Sequence, residues 1–331
     1  MFDRSKLVPR GLAGLAVVAA TVSVLSMPAG AQWAPQRTVE IVVASGPGGG
    51  NDKTARVLQQ ILKETGMLND VVVGNRPGAS GTVAYSYVAQ RRGDGHVISV
   101  ARTGLLANHI IGSSPINYTD LTPLAMVRDE AHAIAVAADS PIKSINDIVL
   151  RLKANPKSLG IALGSSRGST TEFLVAKLAK AASIDPRTLK VVTFDGGTAS
   201  VTNLLGGHVE LAALGIGNFV ELHKAGKLRM IGIATEKRAQ GLPDVPTFRE
   251  QGFDVLQSGW TGIMGAPNLT PQQIAYWEET LEKATRHPLW TKLLEESYDD
   301  YWFLKATATR DFLRSDYTEV QGLLNDLGLL K

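Results

Sequence analysis

Short apolar runs alternate with helical spacing along most of this chain. The first clear run, 39–43, is β-branched and broken only by Glu40. Ala55, Leu58, Ile61 or Leu62, and Thr65 then recur at helical intervals. Further strands are predicted at 71–73, 97–101, 124–127, 133–137, 159–163, 189–194, 209–214 and 230–234. Between them fall helices: one carrying Val83, Ala84, Tyr87 and Val88, and one capped by Ser144 and ending near Lys153. A third buries Phe173, Leu174, Leu178 and Ala181, and a fourth carries Val201, Leu204 and Leu205. After an extended connection at 242–247, residues 259–267 give another strand and its exit. Thr270 caps, and Pro271 opens, a helix to about Arg286. The tail, 309–330, is a helix with Phe312, Leu313, Val320, Leu323 and Leu324 on its apolar side. The alternation predicts an α/β chain of parallel sheets with crossover helices.

Four strand ends share a second pattern, glycine and small hydroxyl residues just before a helix. They are Gly46-Pro47-Gly48-Gly49-Gly50-Asn51-Asp52, Gly74 to Gly81, Gly164-Ser165-Ser166-Arg167-Gly168-Ser169-Thr170, and Asp195-Gly196-Gly197-Thr198. The third strand also exits through Arg102-Thr103-Gly104. A strand that empties through glycine into a helix leaves backbone N–H groups unpaired along the helix dipole, which makes an anion site of main chain. Bare backbone lets a carboxylate or phosphate come close. The loops fall in two groups, each suited to the carboxyl edge of its own sheet, where open α/β folds bind ligands. Two such edges face to face make a cleft.

Length and charge narrow the class. With 331 residues, one large domain or two ordinary ones are expected. The N-terminus has the three parts of a secretory signal: Arg4, Lys6 and Arg10, then apolar residues 12–25, then Ala29-Gly30-Ala31. The apolar run falls short of the roughly 20 residues of a spanning helix. Removing Arg4, Lys6, Arg10 and Asp3 takes the formal charge from +3 to +1, which is no nucleic-acid footprint. Cysteine is absent, so there is neither a disulfide framework nor a thiol for lipid. The expected product is a soluble bacterial periplasmic protein, cleaved near Ala31.

Three enzyme motifs nearly form. A P-loop needs glycine before its lysine, and Asp52 precedes Lys53. The dinucleotide fingerprint fails at Asn51, and Asn75 rather than an acid ends the second strand. Gly164-Ser165-Ser166-Arg167-Gly168 fits a nucleophile elbow, with Asp195 and His208 or His223 in order. It lacks an oxyanion segment, and the acid comes on the very next strand. His96, His109, His132, His208, His223 and His287 show no metal-ligand spacing, and no metal or cofactor is expected. Asp52 reads as either a dipole-complementing first-turn acid or a ligand group. Arg167 reads as a solvated loop residue or a carboxylate fork. Trp260 reads as core before ligand stack.

Several of these segments resemble the Bug-type receptors, the extracytoplasmic solute receptors of tripartite tricarboxylate transporters. They are Pro47 to Asp52 with Ala55-Arg56, then Asn75-Arg76-Pro77-Gly78-Ala79-Ser80-Gly81, then Asp94-Gly95-His96. Leu242-Pro243-Asp244-Val245-Pro246-Thr247 and Trp260-Thr261-Gly262 with Ala266-Pro267 follow in the right order. Phe194-Asp195-Gly196-Gly197 and the region from Met264 to Glu278 look closest to the tricarboxylate-receptor branch. The resemblance implies a type II periplasmic-binding-protein fold: domain one from 32–132 plus 258–331, domain two from 133–257, and ligand between. It implies a site of Gly48, Gly49, Gly50, Asn51, Asp52, Ala79, Ser80, Gly81 and Thr103. Ser165, Ser166, Arg167, Gly168, Ser169 and Asp195 close it from the other domain. Asn51 stands where Thr or Ser is common, Ser80 where Gly is, and Gly93 where Pro is. The implied protein is a monomeric, non-enzymatic receptor that passes a small di- or tricarboxylate to transporter membrane subunits. The other readings are a ligand-presenting sensor for a signalling kinase and a hydrolase using Ser166.

Overall fold

The computed structural model describes residues 33–164, 167–194, 196–257 and 259–330. The predicted signal segment 1–31 lies outside the described residues, as do Ser165, Ser166 and Asp195. The predicted alternation holds at the start: β1 (Val39–Val43) leads to α1 (Gly50–Glu64), β2 (Val71–Asn75) to α2 (Thr82–Ala89), and β3 (Val97–Ala101) to α3 (Gly104–Ile110). Then β4 (Thr122–Asp129) and β5 (His132–Ala137) follow with only Glu130 and Ala131 between them. The chain changes sheets there without a helix. The second sheet is built with α4 (Ile145–Ala154), β6 (Gly160–Leu163), α5 (Thr170–Ala181), β7 (Lys190–Thr193), α6 (Gly197–Leu205), β8 (Leu211–Gly215), α7 (Val220–Lys224) and β9 (Leu228–Ile233). The return to the first sheet is β10 (Thr261–Gly265), followed by α8 (Pro271–Thr285), α9 (Pro288–Ser297), β11 (Asp300–Lys305) and α10 (Ala306–Asp326).

The two sheets run β11-β4-β10-β3-β1-β2 and β7-β6-β8-β5-β9. In each, three strands are parallel as predicted: β2, β1 and β3 in one, β7, β6 and β8 in the other. The sheets are nevertheless mixed, which corrects the expectation of parallel sheets. β5 enters its sheet at the edge where the parallel strands end, with His132 opposite Gly215, and so runs against β8. β10 does the same in the first sheet, with Gly262 opposite Ala101. A strand that arrives through the carboxyl edge has only that direction open to it.

β1 is buried on both faces, as a strand covered by helices on each side must be. Ile41 and Val43 pack with Leu58, Ile61, Trp277 and Trp290, while Val42 packs with Tyr85, Leu106 and Trp260. Each large apolar side chain buried this way contributes roughly 1.5–3 kcal/mol. Glu40, the break in the apolar run, accepts from Arg76 Nη2 at 2.9 Å and from the Tyr87 hydroxyl at 2.6 Å. Trp260 is core, as expected, and its Nε1 donates to Asp316 at 2.7 Å. α10 packs on both halves of the molecule: Leu323, Leu324 and Leu327 meet Phe173 and Ala176 of α5. Lys177 of α5 pairs with Glu319 at 2.6 Å. Ala181, expected in the core, is exposed at the end of α5.

Candidate carboxylate-binding site

The first glycine loop is shaped from within. Gly48 sits at φ +85°, the left-handed region that suits glycine, and donates its N–H to Asp52 Oδ2 at 2.8 Å. The same oxygen accepts from Arg56 Nε at 2.8 Å, and Oδ1 accepts from Asn75 Nδ2 at 2.9 Å. The Arg56 bond leads these effects. Against the opposing pull of burial, they hold the Asp52 carboxyl down at about 2. Asn75 Nδ2 also donates to the Ser45 carbonyl at 3.0 Å. Asp52 is therefore a buried staple whose two oxygens face the loop, Arg56 and Asn75.

The second loop repeats the device. Gly168 sits at φ +75° and donates its N–H to Glu172 Oε2 at 2.6 Å, again four residues on. Glu172 is fully buried. Its other oxygen pairs with Arg167 Nε, so the arginine that read as either a solvated loop residue or a carboxylate fork is bound to Glu172 through that nitrogen. Its side chain is half exposed.

With the acids turned inward, the helix starts are left to backbone. Gly49 caps α1 at φ −72° and has no side chain to offer. Gly81 stands before α2 at φ +99° after the turn Ala79–Gly81, with Ala79 itself at φ +44°. Ser169 stands before α5, its hydroxyl 3.1 Å from the Thr171 hydroxyl rather than on the helix amides, and Gly196 stands before α6. Thr103, buried, precedes α3. None of these five positions supplies a side-chain cap. Of the other helices, α4 and α8 carry capping boxes from Ser144 and Thr270, and on α9 His287 accepts from Leu289 N, while the short α7 after Phe219 has no side-chain cap. The first amide of α10 donates to Glu278 Oε1 at 2.7 Å. Among the described residues the heads of α1, α5 and α6 thus keep unpaired donors and the positive end of their dipole. At α2 the Gly81 and Thr82 amides donate to the Gly78 and Ala79 carbonyls, and at α3 those of Leu105 and Leu106 donate to Arg102 and Thr103.

Between the two edges lies a charged cluster that sequence reasoning missed. Arg102, next after β3, pairs with Glu130 through Nη2, and that nitrogen also lies 3.4 Å from the Gly259 carbonyl. Arg128, buried in β4, pairs through Nη1 with Asp299 at 2.8 Å. The Glu130 carboxylate abuts Gly215, the last residue of β8, where a Cβ would collide with it. The carboxyl ends of β3 and β8, one from each sheet, therefore meet at Glu130. Burial opposes ionisation of Glu130, yet Arg102, His132 and Arg128 together hold its carboxyl down at about 2. Burial pushes Asp299 up to about 7 against the pull of Arg128, and holds His132 below its ordinary value. The signal in the sequence was Arg128-Asp129-Glu130, three charges closing an otherwise apolar strand.

The model of the tripartite tricarboxylate transporter family receptor matches residues 54–329. The chain belongs to this family. It is similar to protein BugT of Bordetella pertussis, at 25% identity over 96% of this chain and 98% of BugT. Among solved structures it is similar to Rpa4515 of R. palustris with adipate, at TM-score 0.77 and 22% identity over 89% of this chain and 98% of that one. MatC of Rhodopseudomonas palustris with bound malate gives TM-score 0.72 and 22% identity over 88% and 99%. The fold is that of a type II periplasmic binding protein.

For a tricarboxylate-transporter receptor, the signature residues now have structural reasons. Asn75 braces the first loop, and Arg76 lies 3.5 Å from the Tyr87 ring centroid while bound to Glu40. A cavity of about 930 Å3 opens on the other side of the crossing strands, lined by Asp129, Ala131, Lys237, Gln257, Tyr298 and Asp299 among others. Side chains alternate along a strand, so Asp129 and Ala131 face this cavity while Glu130 and His132 face Arg102 and Gly215. None of the predicted loop residues that the structure describes lines it. Among the described residues no group of three or more His, Asp or Glu is placed to hold a metal ion.

Proposed function

We propose that this receptor captures a small carboxylate of the di- or tricarboxylate type in the periplasm and delivers it to the membrane subunits of a tripartite transporter. Its two lobes, 32–132 with 258–331 and 133–257, close on the ligand about the crossings beside Glu130 and Gly259. Carboxylate oxygens accept from the open amides of Gly49, Gly50 and Asn51 at α1, and from Ser80 before α2, where Gly81 gives its own N–H to the Gly78 carbonyl and shapes the loop. Thr103 adds a further donor, and the second lobe closes with Ser165, Ser166, Gly168, Ser169 and the turn at Asp195. Asp52 and Arg167 keep these loops in shape. The observation that carries the reading is the missing side-chain caps at α1, α2, α5 and α6, set against the capped α4, α8 and α9. The adipate and malate bound to the two structural relatives support the ligand class.

The reading makes the protein a monomeric binding module without turnover, exported by a signal cleaved near Ala31. Native mass spectrometry of protein prepared from periplasm tests it. The expected spectrum is a monomer beginning near Gln32 with a small acid released on denaturation. A chain that retains residues 1–31, or a co-purified ligand without an acid group, contradicts it.

A further inference from the structure

Two guanidinium groups converge on the head of α1. Cβ bonds tilt toward a helix's N-terminus, so the point where Gly50 would carry a Cβ lies on the side from which an anion approaches. Arg128 Nη2 is 3.8 Å from that point and Arg102 Nη1 is 4.0 Å from it. Each arginine spends its other terminal nitrogen elsewhere, Arg128 Nη1 on Asp299 and Arg102 Nη2 on Glu130. Neither Nη2 of Arg128 nor Nη1 of Arg102 has a hydrogen-bond acceptor among the described residues. Arg128 is only 4% exposed, whereas the Arg102 side chain keeps 29% of its surface. Arg102 is therefore the one that a ligand can reach.

We propose that Arg102 is a ligand-contacting, specificity-determining residue of this site: its Nη1 binds the same carboxylate that sits on the open amides at the head of α1. Glu130 is its positioning residue, fixing the guanidinium plane through Nη2 so that the second nitrogen stays aimed at Gly50. Arg128, whose Nη2 lies about as near the same point, adds positive potential from a buried place. A planar guanidinium offers parallel donors, so it can hold Glu130 and a ligand carboxylate at once, which a lysine ammonium cannot do in the same geometry. The arrangement selects an ionised acid over its neutral amide. It also joins ligand and hinge, since Glu130 lies in the two-residue link from β4 to β5 and its backbone exchanges hydrogen bonds with Gly259 on the returning strand.

The inference deepens the carboxylate-receptor reading and rests on it, so the test has two stages. The native mature protein is titrated calorimetrically with adipate, malate and citrate; if none binds, the receptor reading itself fails and this inference falls with it. If one binds, that acid is titrated against Arg102→Lys, and against Arg102→Gln combined with Glu130→Gln, a pair that leaves no buried charge unpartnered. The expected loss is about 10- to 150-fold for the double variant, the usual worth of a charge-assisted hydrogen bond. Arg102→Lys is expected to keep the melting temperature of the free protein and still lose affinity. Unchanged affinity in both variants overturns the role of Arg102 while leaving the receptor reading intact. A loss in the double variant that Arg102→Lys fully restores overturns the two-sided fork, because charge alone then suffices.

Discussion

Asp52 accepts the amide hydrogen of Gly48 at 2.8 Å, and Glu172 does the same for Gly168 at 2.6 Å, each from the first turn of the following helix. One loop belongs to each sheet, and in each the acid is turned into the protein and paired with an arginine. The acids hold the glycines in their left-handed conformation. The helix heads beyond them remain open, which is what an anion needs.

Asp52→Asn tests the first staple through pH. The folded pKa of about 2 lies below the ordinary carboxylate value of 3.8. A depressed acid stabilises the fold above its unfolded pKa, and that contribution is lost as pH falls from about 4 toward 2. Because Arg56 is half exposed, solvent screening limits the gain to about 1–2 kcal/mol. Denaturant unfolding is expected to show Asp52→Asn less stable than the native protein at neutral pH, with the gap narrowing near pH 2. A constant gap across that range contradicts the assignment.

Gly49→Val separates ligand access from folding. Gly49 has an extended conformation open to any residue, and the nearest atom to an added Cβ is Ser45 Oγ at 3.4 Å. The unliganded variant is therefore expected to melt within a few degrees of the native protein. Branched methyl groups over the α1 amides are expected to cut carboxylate affinity by more than about tenfold, or 1.4 kcal/mol. Lower melting with unchanged affinity in the folded fraction means the glycine only shapes the turn.

Much of the architecture was legible because its cause is local. Glycine after a β-branched run gave the strand-to-helix edges, and Ser144 and Thr270 gave helix starts through their own capping boxes. What stayed hidden depends on distant partners. β5 and β10 read as ordinary strands, and their reversed direction comes only from where they enter their sheets. Arg102 and Glu130 are 28 positions apart, and no spacing rule joins them. Arg167 and Glu172 are close in sequence, but the pairing shows only once α5 begins at Thr170 and turns the acid inward.

Arg167→Ala addresses that pairing. Because its Nε is bound to the buried Glu172, truncation is expected to destabilise the protein by about 1–3 kcal/mol, as for a buried acid left without its charged partner. Affinities for a matched monoacid and diacid are expected to fall by similar factors, through the loosened Gly168 loop. A selective loss for the diacid indicates instead that Arg167 reaches the ligand's second carboxylate.

The central claim is that open backbone amides at glycine-loop helix heads bind a carboxylate. Isothermal titration of the native protein with mono-, di- and tricarboxylates, each beside its neutral amide, tests it most directly. At least one di- or tricarboxylate is expected to bind one to one at about micromolar affinity or better, while its amide, lacking the charge that the helix dipoles favour, gives no measurable heat. If no acid in the series binds, or if an amide binds as tightly as its acid, the account is contradicted.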